Sequence, residues 1–168
     1  MTRRPFLIAA LAALATLASL AGCGFELRRA PELKFSTVQL ANFKPRSPLA
    51  EALRANINAS ATTQVVEGIA QAQVVLEAID DGREKVVVAS NSGGQVTEFQ
   101  LRERFTFRLR SVSGRELIPR TELLLTRDLS YTESAALAKE QEETYLYRTM
   151  QSDIVSQVMR RLASVQSF

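Results

Sequence analysis

Histidine and tryptophan are absent from the 168 residues, and there is one cysteine, Cys23. Without histidine there is no Ser-His-Asp triad, no Cys-His pair and no imidazole metal ligand. A lone cysteine cannot close an intrachain disulfide. No P-loop and no GxGxxG run occurs among the 7 glycines. The catalytic chemistry left open is that of carboxylate pairs or a Ser–Lys pair. Asp80 and Asp81 are adjacent, and adjacent strand residues face opposite ways, so they read as the opening of a turn. Glu140, Glu142 and Glu143 read as helix-dipole partners on a solvated face. No catalytic residue, metal site or cofactor is therefore expected, and the chain does not read as an enzyme. The formal charge of +3 includes Arg3 and Arg4 of the N-terminal segment. Without them the balance is nearly neutral, which gives no reason to propose nucleic acid as a partner.

The only long hydrophobic run is N-terminal. Arg3 and Arg4 precede an apolar stretch from Phe6 to Leu20, the layout of a secretory signal and short of the ~20 residues that span a bilayer. The stretch ends in Leu20-Ala21-Gly22-Cys23, which resembles the lipobox of bacterial lipoproteins. That resemblance implies cleavage before Cys23 and a covalent diacylglycerol and N-acyl chain (palmitate-type) on it. Several acyl chains anchor stably, at about 0.8 kcal/mol per buried CH2. The chain is thus expected to be anchored to a membrane without spanning it. Inner-membrane retention in lipoproteins goes with Asp after the cysteine; Gly24 stands there, pointing to the outer membrane, on its periplasmic side. The expected organisation is a signal peptide over 1–22, a lipidated tether over 23–34 containing Pro31, and a single domain over 35–168.

Within that domain, "FSTVQLANF" (35–43) suits a first strand. Ser47 and Pro48 signal a helix start, and Leu49, Leu53 and Ile57 at spacing four predict a helix over about 48–59. "AQVVLEAIDD" (72–81) is β-rich and ends at a turn signal, Asp81-Gly82. "EKVVVAS" (84–90) either continues that strand past a bulge or is a separate segment, and "SNSGG" (90–94) predicts a hairpin tip. From Phe99, the residues Leu101, Phe105, Phe107 and Leu109 alternate with Arg102, Arg104, Arg108 and Arg110, one apolar and one polar face. Glu103 breaks the apolar side, which an edge position or a bulge would accommodate. The arginines, whose i,i+2 neighbours are about 6.6 Å apart from the ~3.3 Å rise per residue, form either a solvated face or a contact for an anionic headgroup or polar partner wall. Ser113-Gly114 marks a turn before "RTELLLTRDLSY", whose Leu123, Leu125, Leu129 and Tyr131 share a face. Leu146, Met150, Ile154, Val158 and Leu162 then predict a long helix over roughly 136–163, with Arg160 and Arg161 complementing its dipole. The expected fold class is α+β: a two-layer sandwich, with a mainly antiparallel four-stranded sheet covered on one face by two helices.

"LAGCGFELR", "GGQVTEFQL" and "RDLSYTESAALAKEQEETYLYRTMQSDIVSQVMRRL" together resemble LptE, the lipopolysaccharide-assembly lipoprotein family of Gram-negative bacteria. The resemblance implies a sheet carrying two helices. It also implies a non-enzymatic plug inside the outer-membrane β-barrel LptD, which assists assembly of that barrel and passage of lipopolysaccharide to the outer leaflet. A polar sheet face suits the polar interior of a large barrel. Lys139, in "LAKEQE", matches the family's motif lysine, so the resemblance implies a lipopolysaccharide-binding role for it. Some relatives carry a basic residue before the hairpin-tip glycine. Here Asn91-Ser92-Gly93-Gly94 has none, and Arg127 or Arg102 are the candidate substitutes. The competing reading is an outer-membrane lipoprotein subunit of another envelope machine, such as a barrel-folding complex or a secretin.

Overall fold

The computed structural model describes residues 32–166. The expected signal peptide, Cys23 and most of the tether lie outside the described residues. The elements are β1 (Thr37–Ala41), α1 (Pro48–Asn58), β2 (Gln64–Val66), a 3-10 turn (Ile69–Gln71), β3 (Val74–Ser90), β4 (Val96–Ser111), β5 (Glu116–Ser130), a second 3-10 turn (Glu133–Ala135) and α2 (Ala136–Ala163). The sheet has five strands in the order β2-β1-β3-β4-β5. β3, β4 and β5 form an antiparallel meander, whereas β1 runs parallel to both β2 and β3. The expected four-stranded, mainly antiparallel sheet is thus corrected to a mixed, five-stranded one. β2 is three residues long, too short to show a periodicity.

Both helices lie on one face, as expected. Ser47 caps α1: its Oγ accepts from the Ala50 amide at 3.2 Å, with Pro48 at the first helical position. Leu49, Leu53 and Ile57 of α1 join Ile154, Val155, Val158 and Leu162 of α2 over Val38, Leu76, Phe105, Phe107 and Leu109 of the sheet in one core. Each fully buried aliphatic or aromatic side chain contributes roughly 1.5–3 kcal/mol. A second, smaller cluster of Leu101, Leu129 and Met150 extends the core toward the β3–β4 hairpin. Leu33, inside the expected tether, is 3% exposed and packs into the main core.

The two open possibilities for 81–90 resolve into one strand. The register of β3 on β4 passes from Ala78–Phe107 to Asp80–Thr106, leaving Ile79 as an extra residue. Asp81-Gly82 is therefore interior to a strand and opens no turn. The extra residue also inverts the phase. Before it, Val74, Leu76 and Ala78 share the helix-covered face; beyond it, Asp81, Arg83 and Lys85 lie opposite Phe105, Glu103 and Leu101 and take that face instead. The predicted turns at 90–94 and at Ser113-Gly114 are present. In the 91–95 tip, Asn91 Oδ1 accepts from the Gly93 and Gln95 amides, and Gly94 has φ 78°, a left-handed conformation that glycine takes without penalty.

Candidate functional site

The phase inversion in β3 aims polar side chains at the helix-bearing side of the sheet where the hairpin projects beyond the main core. There, a pocket of about 480 Å3 lies between the hairpin tip, the end of β5 and the start of α2. Lys85 and Lys139 line it, from the sheet and the helix respectively. Lys85 Nζ lies 4.3 Å from the centre of the Phe99 ring and donates to Glu143 Oε2 at 2.6 Å. Phe99 in turn meets Tyr131 edge-on at 5.2 Å. Lys139 Nζ donates to Ser130 Oγ at 3.0 Å and to Glu142 Oε2 at 2.8 Å. The pocket therefore presents two ammonium groups on an aromatic floor, each steadied by one carboxylate of α2. Such an arrangement can take an anionic group by exchanging a carboxylate partner for a ligand oxygen. Glu142 and Glu143 are thus partners of lysines, and the first turn of α2 holds no acid for the dipole. Arg160 and Arg161 do occupy its last turn.

Of the three candidate lipopolysaccharide contacts named from the sequence, Lys139 alone lines this pocket. Arg127 reaches Asp153 of α2 at 3.5 Å, roughly 21 Å along the helix from Lys139 at ~1.5 Å per residue. Arg102 belongs to the opposite, uncovered face, where its Nε donates to Gln100 Oε1 at 2.9 Å. Lys85 was not among the candidates. It falls within the β-rich run 84–90, to which the sequence assigns no face, and the extra residue at Ile79 turns it toward the pocket.

The uncovered sheet face is organised around Glu77. Arg108 Nε and Arg110 Nε donate to its two carboxylate oxygens, each at 2.6 Å. Burial pushes the Glu77 carboxyl up, but the hydrogen bonds from Arg110 and Arg108 outweigh it and leave the group below its ordinary value. Arg102 and Arg104 extend the cationic strip along β4. On the covered face, Glu103 is the apparent pattern violation. It sits on β4, an interior strand, neither at an edge nor at a bulge, and is held by Arg83 directly opposite in the register. Among the described residues no cluster of three or more acidic, cysteine or histidine side chains is placed to hold a metal ion, and no helix is long and apolar enough to cross a membrane.

Solved structures of similar fold carry lipoprotein descriptions. The solution structure of an uncharacterized lipoprotein B from Nitrosomonas europaea superposes with a TM-score of 0.72 at 31% identity, over 84% of this chain and 91% of that one. The rare lipoprotein B from Shewanella oneidensis (TM-score 0.64, 19% identity, 77% and 95% covered) and a minor lipoprotein from Acinetobacter baumannii (TM-score 0.63, 20% identity, 79% and 93% covered) share the fold. Comparison with curated protein sequences found no match. The family model for LptE, described as lipopolysaccharide-assembly, matches residues 35–162, nearly the whole of the described fold. The chain belongs to the LptE family of lipopolysaccharide-assembly lipoproteins.

Proposed function

We propose that the chain is a non-enzymatic outer-membrane lipoprotein, held on the periplasmic side by acyl chains on Cys23. In this reading it plugs the β-barrel LptD, assists the assembly of that barrel and aids insertion of lipopolysaccharide into the outer leaflet. Residues 1–22 serve as the signal peptide, 23–34 as the tether and 35–168 as the working domain. The observation that carries the reading is the family match over 35–162, together with a lysine-lined pocket at the position of the family's motif lysine, Lys139. The cationic, uncovered face of β4 supports it, because a polar wall suits the lumen of a large barrel.

Lys139 and Lys85 are the proposed contacts for the anionic groups of lipopolysaccharide. Lys85 supplies the second charge that the hairpin tip lacks. Arg127 and Arg102 stand as secondary contacts outside the pocket. Replacing both lysines, Lys85→Glu with Lys139→Glu, is expected to weaken lipopolysaccharide binding tenfold or more, roughly 1.4 kcal/mol, while a large barrel still co-purifies from outer membranes. Unchanged lipopolysaccharide binding removes the pocket assignment. Absence of a barrel in one-to-one amount with the wild-type protein removes the plug assignment.

A further inference from the structure

A second cavity, separate from the hairpin-end pocket, opens between the β1–α1 loop and the sheet. It measures about 290 Å3, and Lys44, Arg46, Ser47, Asp81, Arg83 and Glu103 contribute to its walls. Glu103 is 2% exposed, and its Oε1 accepts from Arg83 Nε at 3.2 Å and Nη2 at 3.1 Å. Its Oε2 is buried with no hydrogen-bond partner among the described residues. Arg83 is already committed elsewhere: Nη2 also donates to Gln151 Oε1 at 2.6 Å, and the guanidinium lies 5.1 Å from the centre of the Tyr147 ring. Buried carboxylate oxygens are almost always met by a donor, so the missing partner is an N–H or O–H group that the described residues do not supply.

The rest of the cavity narrows the chemistry of that partner. Asp81 also faces it, and the group on its carboxylate is the neutral Ser47 hydroxyl, at 2.7 Å, while Lys44 Nζ donates to the Asp81 carbonyl. Burial raises the Glu103 carboxyl, Arg83 draws it back, and the charge on Asp81 adds to the rise. The Asp81 carboxylate thus meets no cationic side chain among the described residues, and Glu103 keeps one oxygen unmet, which favours a positive group with several donors; a primary ammonium carries three N–H donors. The charge reverses at the mouth, where Lys44 and Arg46 are both exposed and Arg46 has no partner among the described residues. Arg46 is held there in a left-handed backbone conformation (φ 58°), uncommon for a residue with a side chain.

We infer that this cavity binds an aminoethyl phosphate group, with its ammonium on Glu103 Oε2 and Asp81 and its phosphate on Arg46 and Lys44. This chemistry occurs as the headgroup of a membrane phospholipid and as a substituent on a saccharide. The test is calorimetric titration of the full chain, in detergent free of ethanolamine lipids, with phosphoethanolamine and with phosphocholine. The two share a charge distribution, but the trimethylated ammonium has no N–H to donate. Phosphoethanolamine is expected to bind at least tenfold more tightly than phosphocholine, inorganic phosphate or methylamine. Glu103→Gln is expected to remove the preference over phosphocholine, and Arg46→Ala to weaken both ligands. Equal affinity for the two ligands overturns the inference, as does no binding of phosphoethanolamine, which would leave the cavity to water. An undiminished preference in a folded Glu103→Gln protein also overturns it. If that variant does not fold, the comparison of the two ligands on the wild-type chain decides alone. Co-sedimentation with phosphatidylethanolamine vesicles above that with phosphatidylcholine vesicles assigns the group to a lipid headgroup. Binding of soluble phosphoethanolamine without that excess assigns it to a saccharide-borne group.

Discussion

Glu77 and Glu103 are two buried carboxylates on neighbouring strands, and their surroundings drive them in opposite directions. Glu77, with both oxygens met by arginine, is held below its ordinary value of 4.5. A group depressed in the folded state contributes stability above its unfolded pKa, and that contribution is lost as pH falls through the folded value. Acid titration of the wild-type fold should therefore show a loss of stability beginning below about pH 4.5 that Glu77→Gln lacks. At neutral pH the same substitution is expected to cost about 1–3 kcal/mol in chemical denaturation, since it weakens two charge-assisted bonds. Glu103 is raised above 4.5. Its contribution is fully present below that pH and declines as pH rises through its higher folded value. Glu103→Gln, compared with wild type across this window, should gain relative stability as pH increases. A difference that falls with rising pH refutes the assignment.

At the scale of the elements, the Ser47 cap ties α1 to the sheet. Its hydroxyl accepts from the Ala50 amide and donates to Asp81 of β3. Ser47→Ala is expected to lower stability by about 1–2 kcal/mol, read as a shift in denaturation midpoint at constant slope. Such local signals were legible: the cap, the turns at 90–94 and Ser113-Gly114, the alternation of β4 and the four-residue stripe of α2 all appear in the sequence where the structure puts them. β3 was not legible as one strand. Its extra residue at Ile79 inverts which side chains face the core, so a period-two reading finds two mismatched runs and takes Asp81-Gly82 for the break between them. Lys85 was missed, and Glu103 was noticed but not explained, for the same reason. Each is explained by what lies across the register, Arg83 for one and the helix-side pocket for the other, and a single strand's pattern does not encode its neighbour's phase. The parallel pairing of β1 was hidden too, because parallel partners are joined by a crossover and carry no turn signature.

For the whole molecule, attachment and binding are separable. Cys23→Ala is expected to leave an uncleaved or soluble species without incorporated fatty acid, with unchanged circular dichroism, because the apolar burial that holds the described fold starts at Leu33. Fatty-acid labelling with membrane fractionation checks the first half, and far-ultraviolet spectra check the second. The core joins the two ends of the described chain: Leu33 and Phe35 share one cluster with Leu162 and Val165. Synthesis makes the first of these long before the last. Until the C-terminal helix arrives, β1 has neither its cover nor, at first, its parallel neighbours β2 and β3, so a partly made chain presents bare strand edges and greasy surface. The fold therefore completes late, and a chain truncated after Ser156 should be degraded by protease as readily at its N-terminal strand as at its new end. A fold built this way stays pliable until α2 is made and becomes rigid only when that helix closes over β1.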